Sequence, residues 1–329
     1  MVKRKNTCRA GLFLVAVLAL TTGCGGEKEV TVVKLAHALD TTHPVHKGMV
    51  FMARKVDEYS GGRMRVDIYP SGQLGNEREL IELLQIGSLA MTKVSTAPLE
   101  AFVPEMKIFG IPYVFRDSEH RWKVLNGPIG KQLLLSGESF FLRGMCYYDA
   151  GSRSFYTKDR PIITPRDLKG MKIRVMKSIT AVNMIEALGG SPTPIPWGEL
   201  YTSLQQGVVD GAENNAPSFY LSRHYEVCKY YSIDEHTSVP DILLMSTIVW
   251  ESLSEQEQQW LQKAVDDSVE HQKELWKESV RESLDAVREA GVDILYPDKR
   301  PFLEAVESMH DSYKGTPLYG LIQDIKDTK

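Results

Sequence analysis

The spacing of apolar residues switches between two periods from residue 30 onward. Val30 to Ala38 (VTVVKLAHA) is apolar and β-rich, as a buried strand would be. From His46 to Tyr59 the spacing turns helical, carried by Val50, Met52, Val56 and Tyr59, and stops at Gly61-Gly62. Arg63 to Tyr69 (RMRVDIY) alternates as a strand does, and Pro70-Ser71-Gly72 ends it. A helix over Glu77 to Ile86 carries Leu80, Ile81, Leu83 and Leu84 between the cap Asn76 and Gly87. A short strand follows at Leu89 to Val94. This β-α-β-α-β order predicts an α/β fold with a largely parallel sheet.

Part of that run recurs. Glu79 to Gly87 (ELIELLQIG) lies on Glu199 to Gly207 (ELYTSLQQG) with Glu, Leu, Leu, Gln and Gly in common. Each copy is a helix ending in glycine that leads into a short apolar strand. Upstream of the second copy stand a strand, Met171 to Met176, and a helix, Val182 to Leu188. Two similar α/β lobes are expected. Ser254 to Ala290 then reads as one long helix, opened by a Ser254/Glu257 capping box and followed by Gly291. At 1.5 Å per residue it would be ~54 Å long, more than the ~30 Å of a small domain, so it should brace more than one lobe. A last amphipathic helix is expected over Pro301 to Ser312.

The N-terminus follows a different pattern. Lys3, Arg4, Lys5 and Arg9 precede a ten-residue apolar run, Gly11 to Leu20, too short to span a bilayer and typical of a secretion signal. It ends in Leu20-Thr21-Thr22-Gly23-Cys24, which resembles a bacterial lipobox with Cys24 as the lipidated residue; ordinary signal cleavage is the alternative. Gly25 to Glu29 reads as a tether. Either way the mature protein lies outside the cytoplasmic membrane. The chain's formal net charge of −4 becomes −8 once the four cations of the leader are gone. Such a chain has no general attraction for nucleic acid or any other anion, so anion binding requires local positive charge. Cys146 and Cys228 remain and are read as two buried thiols rather than a pair.

Cofactor and catalytic motifs are missing from the sequence: no P-loop, GxGxxG, GxSxG, HExxH or CxxC occurs. No cofactor or metal is expected, and an enzyme finds no support. Cations inside strands stand out instead. Arg174 alternates with Ile173 and Val175, so it sits on a buried strand and needs a counter-anion, from the protein or from a ligand. Arg153 is flanked by aromatics near another strand end. Asn214-Asn215 follows the second repeat and offers amide groups suited to hydroxyls and carboxylates.

Four segments, Tyr69 to Gly75 (YPSGQLG), Ile111 to Phe115 (IPYVF), Asp167 to Arg174 (DLKGMKIR) and Tyr201 to Asn214 (YTSLQQGVVDGAEN), resemble the DctP-type solute-binding proteins of TRAP (tripartite ATP-independent periplasmic) transporters. The resemblance covers roughly residues 30–315. It implies a two-lobed periplasmic binding protein, class II-like, with one helix crossing both lobes. Residues 1–23 are then the signal peptide and 24–29 the tether. Residues 30–150 with 238–275 form lobe I, and 151–237 with 276–329 form lobe II. The lobes close on a small organic acid, which a monomer delivers to membrane permease subunits. By the same resemblance Arg174 grips the ligand carboxylate, and Arg153, Asn214 and Glu77 contact the ligand. Trp197 is expected on the cleft wall or in a lobe core. Asn215, beside Asn214, and His37, Asp40 and His236 are further candidate ligand contacts. The segments holding His37, Asp40, His43 and Lys47, and Tyr230 to His236, are similar to a subgroup taking sugar acids such as hexuronates. Dicarboxylates, aromatic acids, a sensor-linked binding module and a periplasmic enzyme remain as alternatives.

Overall fold

The computed structural model describes residues 30–329; the signal peptide, Cys24 and the tether lie outside the described residues. Among the described residues eleven strands fall into two sheets. They are β1 (Thr31–His37), β2 (Met64–Tyr69), β3 (Met91–Ser95), β4 (Leu142–Tyr148), β5 (Arg153–Thr157), β6 (Lys172–Val175), β7 (Ser191–Pro194), β8 (Gly211–Asn214), β9 (Tyr230–Thr237), β10 (Asp241–Ser246) and β11 (Asp293–Leu295). The first sheet runs β2-β1-β3-β10-β4 and the second β11-β9-β5-β8-β6-β7.

Each lobe contains the same unit. In the first sheet β1 pairs in parallel with β2 on one side and β3 on the other. In the second, β6 pairs in parallel with β7 and β8. The repeated helix-Gly segments feed β3 and β8, and Gly87 and Gly207 both adopt left-handed backbone, at φ 70° and 71°. A Cβ is disfavoured in that conformation, so glycine ends each helix where the chain must turn into its strand.

Beside each parallel unit lies a strand donated from the other side. β4 leads through residues 149–152 into β5 of the second sheet, and β9 leads through residues 238–240 into β10 of the first. The two connections run side by side, since Tyr148 pairs with Asp241 and Arg153 with Thr237. They form a two-stranded hinge at which the lobes meet.

The long helix spans Glu255–Glu289 and opens with the expected capping box between Ser254 and Glu257. Leu261, Ala264, Val265 and Trp276 enter the first lobe's core, and Val287 enters the second's. At its midpoint Gln272 is fully buried and grips the hinge: its amide accepts from Asp149 N (2.7 Å) and donates to Asp149 O (2.9 Å). Cys146 and Cys228 are buried free thiols in cores of different lobes.

The C-terminus departs from the sequence reading. The expected helix over 301–312 is two short ones, Arg300–Ala305 and Glu307–Asp311, with Phe302, Val306 and Met309 in the second lobe's core. A further helix, Pro317–Asp327, follows. It belongs with the first lobe rather than the second, because Ile322 and Ile325 enter the first lobe's core. Arg116 also binds the carbonyls of Lys326 (2.9 Å) and Thr328 (2.6 Å). Pro317 at its first turn was the legible start signal.

Gly48, in the helix Pro44–Ser60, lies directly against Gln272; a Cβ there would come within 2.8 Å of Gln272 Cβ. Gln272 is held by Asp149 and cannot swing away. Gly48→Val should therefore destabilise the protein by about 1–3 kcal/mol through overpacking, seen as a lower urea midpoint at unchanged m-value.

Candidate functional site

The parallel units of both sheets direct the carboxyl ends of their strands at one cleft, the usual place for a ligand in open α/β sheets. The first lobe contributes Ala38 after β1, Lys93 and Ser95 of β3, Asp241 of β10, and Glu77. The second contributes Arg174 and Met176 at β6, Asn214 and Asn215 at β8, Arg153 of β5, and Trp197. The cleft has an outer chamber of about 250 Å³ and an inner one of about 40 Å³; Glu77, Arg174, Met176 and Trp197 line both. This lies just below the roughly 300–1,000 Å³ of drug-sized sites, so it suits a small molecule.

Arg174 dominates the cleft. Its side chain is 1% exposed. Nε donates to Ile195 O (2.8 Å), and the guanidinium sits 6.0 Å from the Trp197 ring centroid. Nη1 is buried and meets no acceptor of the protein, and no carboxylate lies within ion-pair distance among the described residues. Burial pushes its pKa down, the direction expected of a cation stripped of water. A buried cation left this way costs several kcal/mol unless an anion joins it.

Arg153 is also buried, yet differently occupied. It forms a two-pronged ion pair with Glu213, through Nε to Oε2 and Nη2 to Oε1 (2.9 Å). Nη2 also donates to Glu213 O (2.7 Å) and Nη1 to Asn214 Oδ1 (2.8 Å). Four of the five guanidinium donors are thus committed. Asn214 Oδ1 accepts a second bond from Asn215 N (2.9 Å), and Asn215 Oδ1 accepts from Ser218 N (2.8 Å) to cap the helix Ala216–Leu221. Both amide oxygens are therefore taken, and both amide NH2 groups remain as donors. This wall is made of donors: Arg174, one N–H of Arg153, and two amides.

The opposite wall is mostly acceptors. Lys93 is 2% exposed and pairs with Asp241 (2.9 Å) and, more loosely, with Glu77 (3.6 Å). Glu77 Oε1 also accepts from Ser95 N (2.9 Å). Burial raises the Glu77 carboxyl, and the neighbouring Asp241 adds to it, while Lys93 and Arg174 oppose. His43 caps the helix Pro44–Ser60 and meets Ser218 Oγ of the second lobe at 3.4 Å. Burial, followed by Lys93, holds it neutral.

Six of the nine residues singled out in the sequence line the cleft: Arg174, Arg153, Glu77, Asn214, Asn215 and Trp197. Trp197 lines the cleft and also packs on the second lobe's core. His37, Asp40 and His236 do not line it. His37, the last residue of β1, is buried against His46 (3.0 Å) and Leu39 N (3.1 Å). Asp40 is exposed and closes a turn on Thr42 N (2.8 Å). His236 is fully buried, 2.9 Å from Asp234 and 3.5 Å from Glu213. Lys93, Ser95, Asp241, Met176 and Ser218 were not foreseen. Lys93 carried the same signal as Arg174, a cation inside an apolar strand; Asp241, at the start of β10, carried none.

Behind the donor wall the charges alternate: Asp234, His236, Glu213, Arg153. Burial pushes the His236 imidazole down, but Asp234 and then Glu213 more than offset this and hold it at about 9. Burial likewise favours neutral Glu213, and Arg153 and His236 overcome it, bringing it to about 2. The folded-state pKa of His236 lies above the ordinary 6.5, so its contribution is complete below about pH 6.5 and is lost as pH rises through about 9. Its size is at most of order 3 kcal/mol. Thermal melts should therefore fall between pH 7 and 9.5, and His236→Gln should lower stability at pH 7 while flattening that slope.

Comparison with known proteins places this geometry. The family model described as bacterial extracellular solute-binding protein, family 7 (DctP), matches residues 35–316. An uncharacterised Salmonella typhimurium protein, YiiZ, is 42% identical over 302 residues, 91% of this chain and 92% of the relative. A TRAP periplasmic solute-binding protein from Bradyrhizobium sp. BTAi1, solved with α/β-D-galacturonate, superposes with a TM-score of 0.87 at 41% identity, covering 90% of this chain and 99% of that one. One from Chromohalobacter salexigens with bound D-glucuronate gives 0.88 at 33% identity, covering 90% and 100%. Two lobes closing on a donor-lined cleft, with this extent of likeness, make the chain a member of the DctP family of TRAP-transporter solute-binding proteins.

Proposed function

We propose that this protein captures a hexuronate, of the D-galacturonate or D-glucuronate kind, between its lobes and presents it to the membrane permease of its TRAP system. The observation that carries the reading is Arg174: a buried guanidinium with a free edge and no carboxylate of its own. A ligand carboxylate fits that edge with paired, charge-assisted hydrogen bonds. The remaining Arg153 N–H and the Asn214 and Asn215 amides extend the same donor surface.

The opposite wall favours a sugar acid over a dicarboxylate. Glu77 and Asp241 accept hydrogen bonds from hydroxyls, and Lys93 donates to them. A second carboxylate there would meet two like charges. Trp197 offers an aromatic face to the apolar face of a pyranose ring. In this reading Arg174, Arg153, Asn214, Asn215, Glu77 and Trp197 touch the ligand. His37 and His236 are positioning residues behind the walls, and Asp40 has no ligand role. The chain acts as a monomer tethered through lipidated Cys24; Cys24→Ser should move it from the membrane fraction to the soluble one.

Micromolar binding needs about 8 kcal/mol, more than one ion pair supplies, so the hydroxyl contacts and closure are essential to it. In a thermal-shift assay, D-galacturonate and D-glucuronate at 100-fold over Kd should add ~2.7 kcal/mol of stability, with little effect from galactose or succinate. A shift by the neutral sugar and none by its acid would overturn the reading. Arg174→Lys keeps the charge but loses the two-pronged geometry. It should weaken calorimetric affinity by about 2 kcal/mol, roughly 30-fold.

A further inference from the structure

We propose that acid binding in this cleft is coupled to uptake of one proton by Glu77. The proposal rests on the reading of the cleft as an acid site and concerns how its charge is balanced. Four buried cations surround the cleft and the network behind it: Lys93, Arg153, Arg174 and His236. Four carboxylates answer them: Glu213, Asp234 and Asp241, which are buried, and Glu77, whose side chain is partly exposed at the cleft. A bound carboxylate makes a fifth anion, and the lobes close over it.

Three of the four carboxylates have a close partner of their own. Glu213 is gripped by Arg153, Asp234 by His236 at 2.9 Å, and Asp241 by Lys93 at 2.9 Å. Glu77 has only a share of Lys93, at 3.6 Å, and one backbone N–H. The groups facing it are Lys93 on β3, Asp241 on β10 and Arg174 on β6. His43 lies further along the same cavity, Arg78 on its own helix is paired with Glu82 at 3.1 Å, and Lys177 and Glu199 sit exposed on the far rim.

Arg174 is the cation in this set with no carboxylate of its own, and its field helps keep Glu77 ionised. A ligand carboxylate seated on Arg174 cancels that field, adds its own negative charge, and displaces water from the cleft. All three effects favour neutral Glu77. The proton comes from solvent on binding and returns to it on release. Once protonated, Glu77 can donate to a ligand oxygen as well as accept, so charge balance and hydroxyl recognition act through the same group.

The test is calorimetric titration of D-galacturonate and D-glucuronate into the wild-type protein from pH 5.5 to 8.5, in buffers of differing ionisation enthalpy. Buffer-dependent heats should give uptake of about one proton per ligand within this range, where affinity falls toward tenfold per pH unit. Glu77→Gln should flatten that dependence. Asp241→Asn leaves Lys93 to Glu77 alone and should move the fall to lower pH, an independent readout if Glu77→Gln misfolds by circular dichroism. Binding with buffer-independent heats and constant affinity would overturn the proton coupling and leave the acid reading intact. An unchanged slope in folded Glu77→Gln would also overturn it, by assigning the proton to another group. Failure of both acids to bind at every pH would instead remove the acid reading, and the coupling with it.

Discussion

A guanidinium taken out of water without a carboxylate beside it is the constraint around which this cleft is arranged. Arg174 is placed there by β6, whose alternate residues Ile173 and Val175 are committed to the second lobe's core. One of its donors is satisfied by Ile195 O, and its face is covered by Trp197. What remains is a directed edge whose unmet need is an anion. The neighbouring Arg153 has the same burial, but Glu213 answers its charge in place. Two buried arginines in one wall thus differ: Arg174 keeps an edge without a protein acceptor, while Arg153 is paired with Glu213 and holds the Asn214 amide.

The fold supplies the second condition, two walls of opposite hydrogen-bonding character that can approach each other. Each wall grows from the same parallel unit, and each sheet holds a strand that arrives from the other lobe. The hinge strands and the long helix meet at Asp149 and Gln272, which ties the lobes together there. His43 and Ser218 touch across the cleft from opposite lobes. The donor wall belongs to one lobe and the acceptor wall to the other, so in the proposed function a bound sugar acid is held by both lobes at once.

Much of this architecture was legible beforehand. Strands β1, β2, β3, β6 and β8, the helices over 44–60 and 77–85, the capping box at Ser254 and the repeated helix-Gly-strand segment all follow from period and end signals that act over a few residues. Arg174 was legible too, as a cation at an inward strand position. Lys93 carried the same signal. The C-terminal helix Pro317–Asp327 was not read from the sequence, and its docking on the first lobe depends on a contact far along the chain, with Ile322 and Ile325 entering that lobe's core.

By itself the sequence determined many of the elements, the family and the presence of charge where charge is costly. Only the tertiary structure decided which charges are already answered. Asp241 becomes the partner of Lys93 because β10 crosses back from the second lobe to lie against β3. Glu213 becomes the partner of Arg153 because β8 lies beside β5. Along the chain, a buried arginine awaiting a ligand and one already paired look alike, since both are cations among apolar neighbours. Coulomb energy depends on distance in space, and that distance is set by strand order rather than by local periodicity.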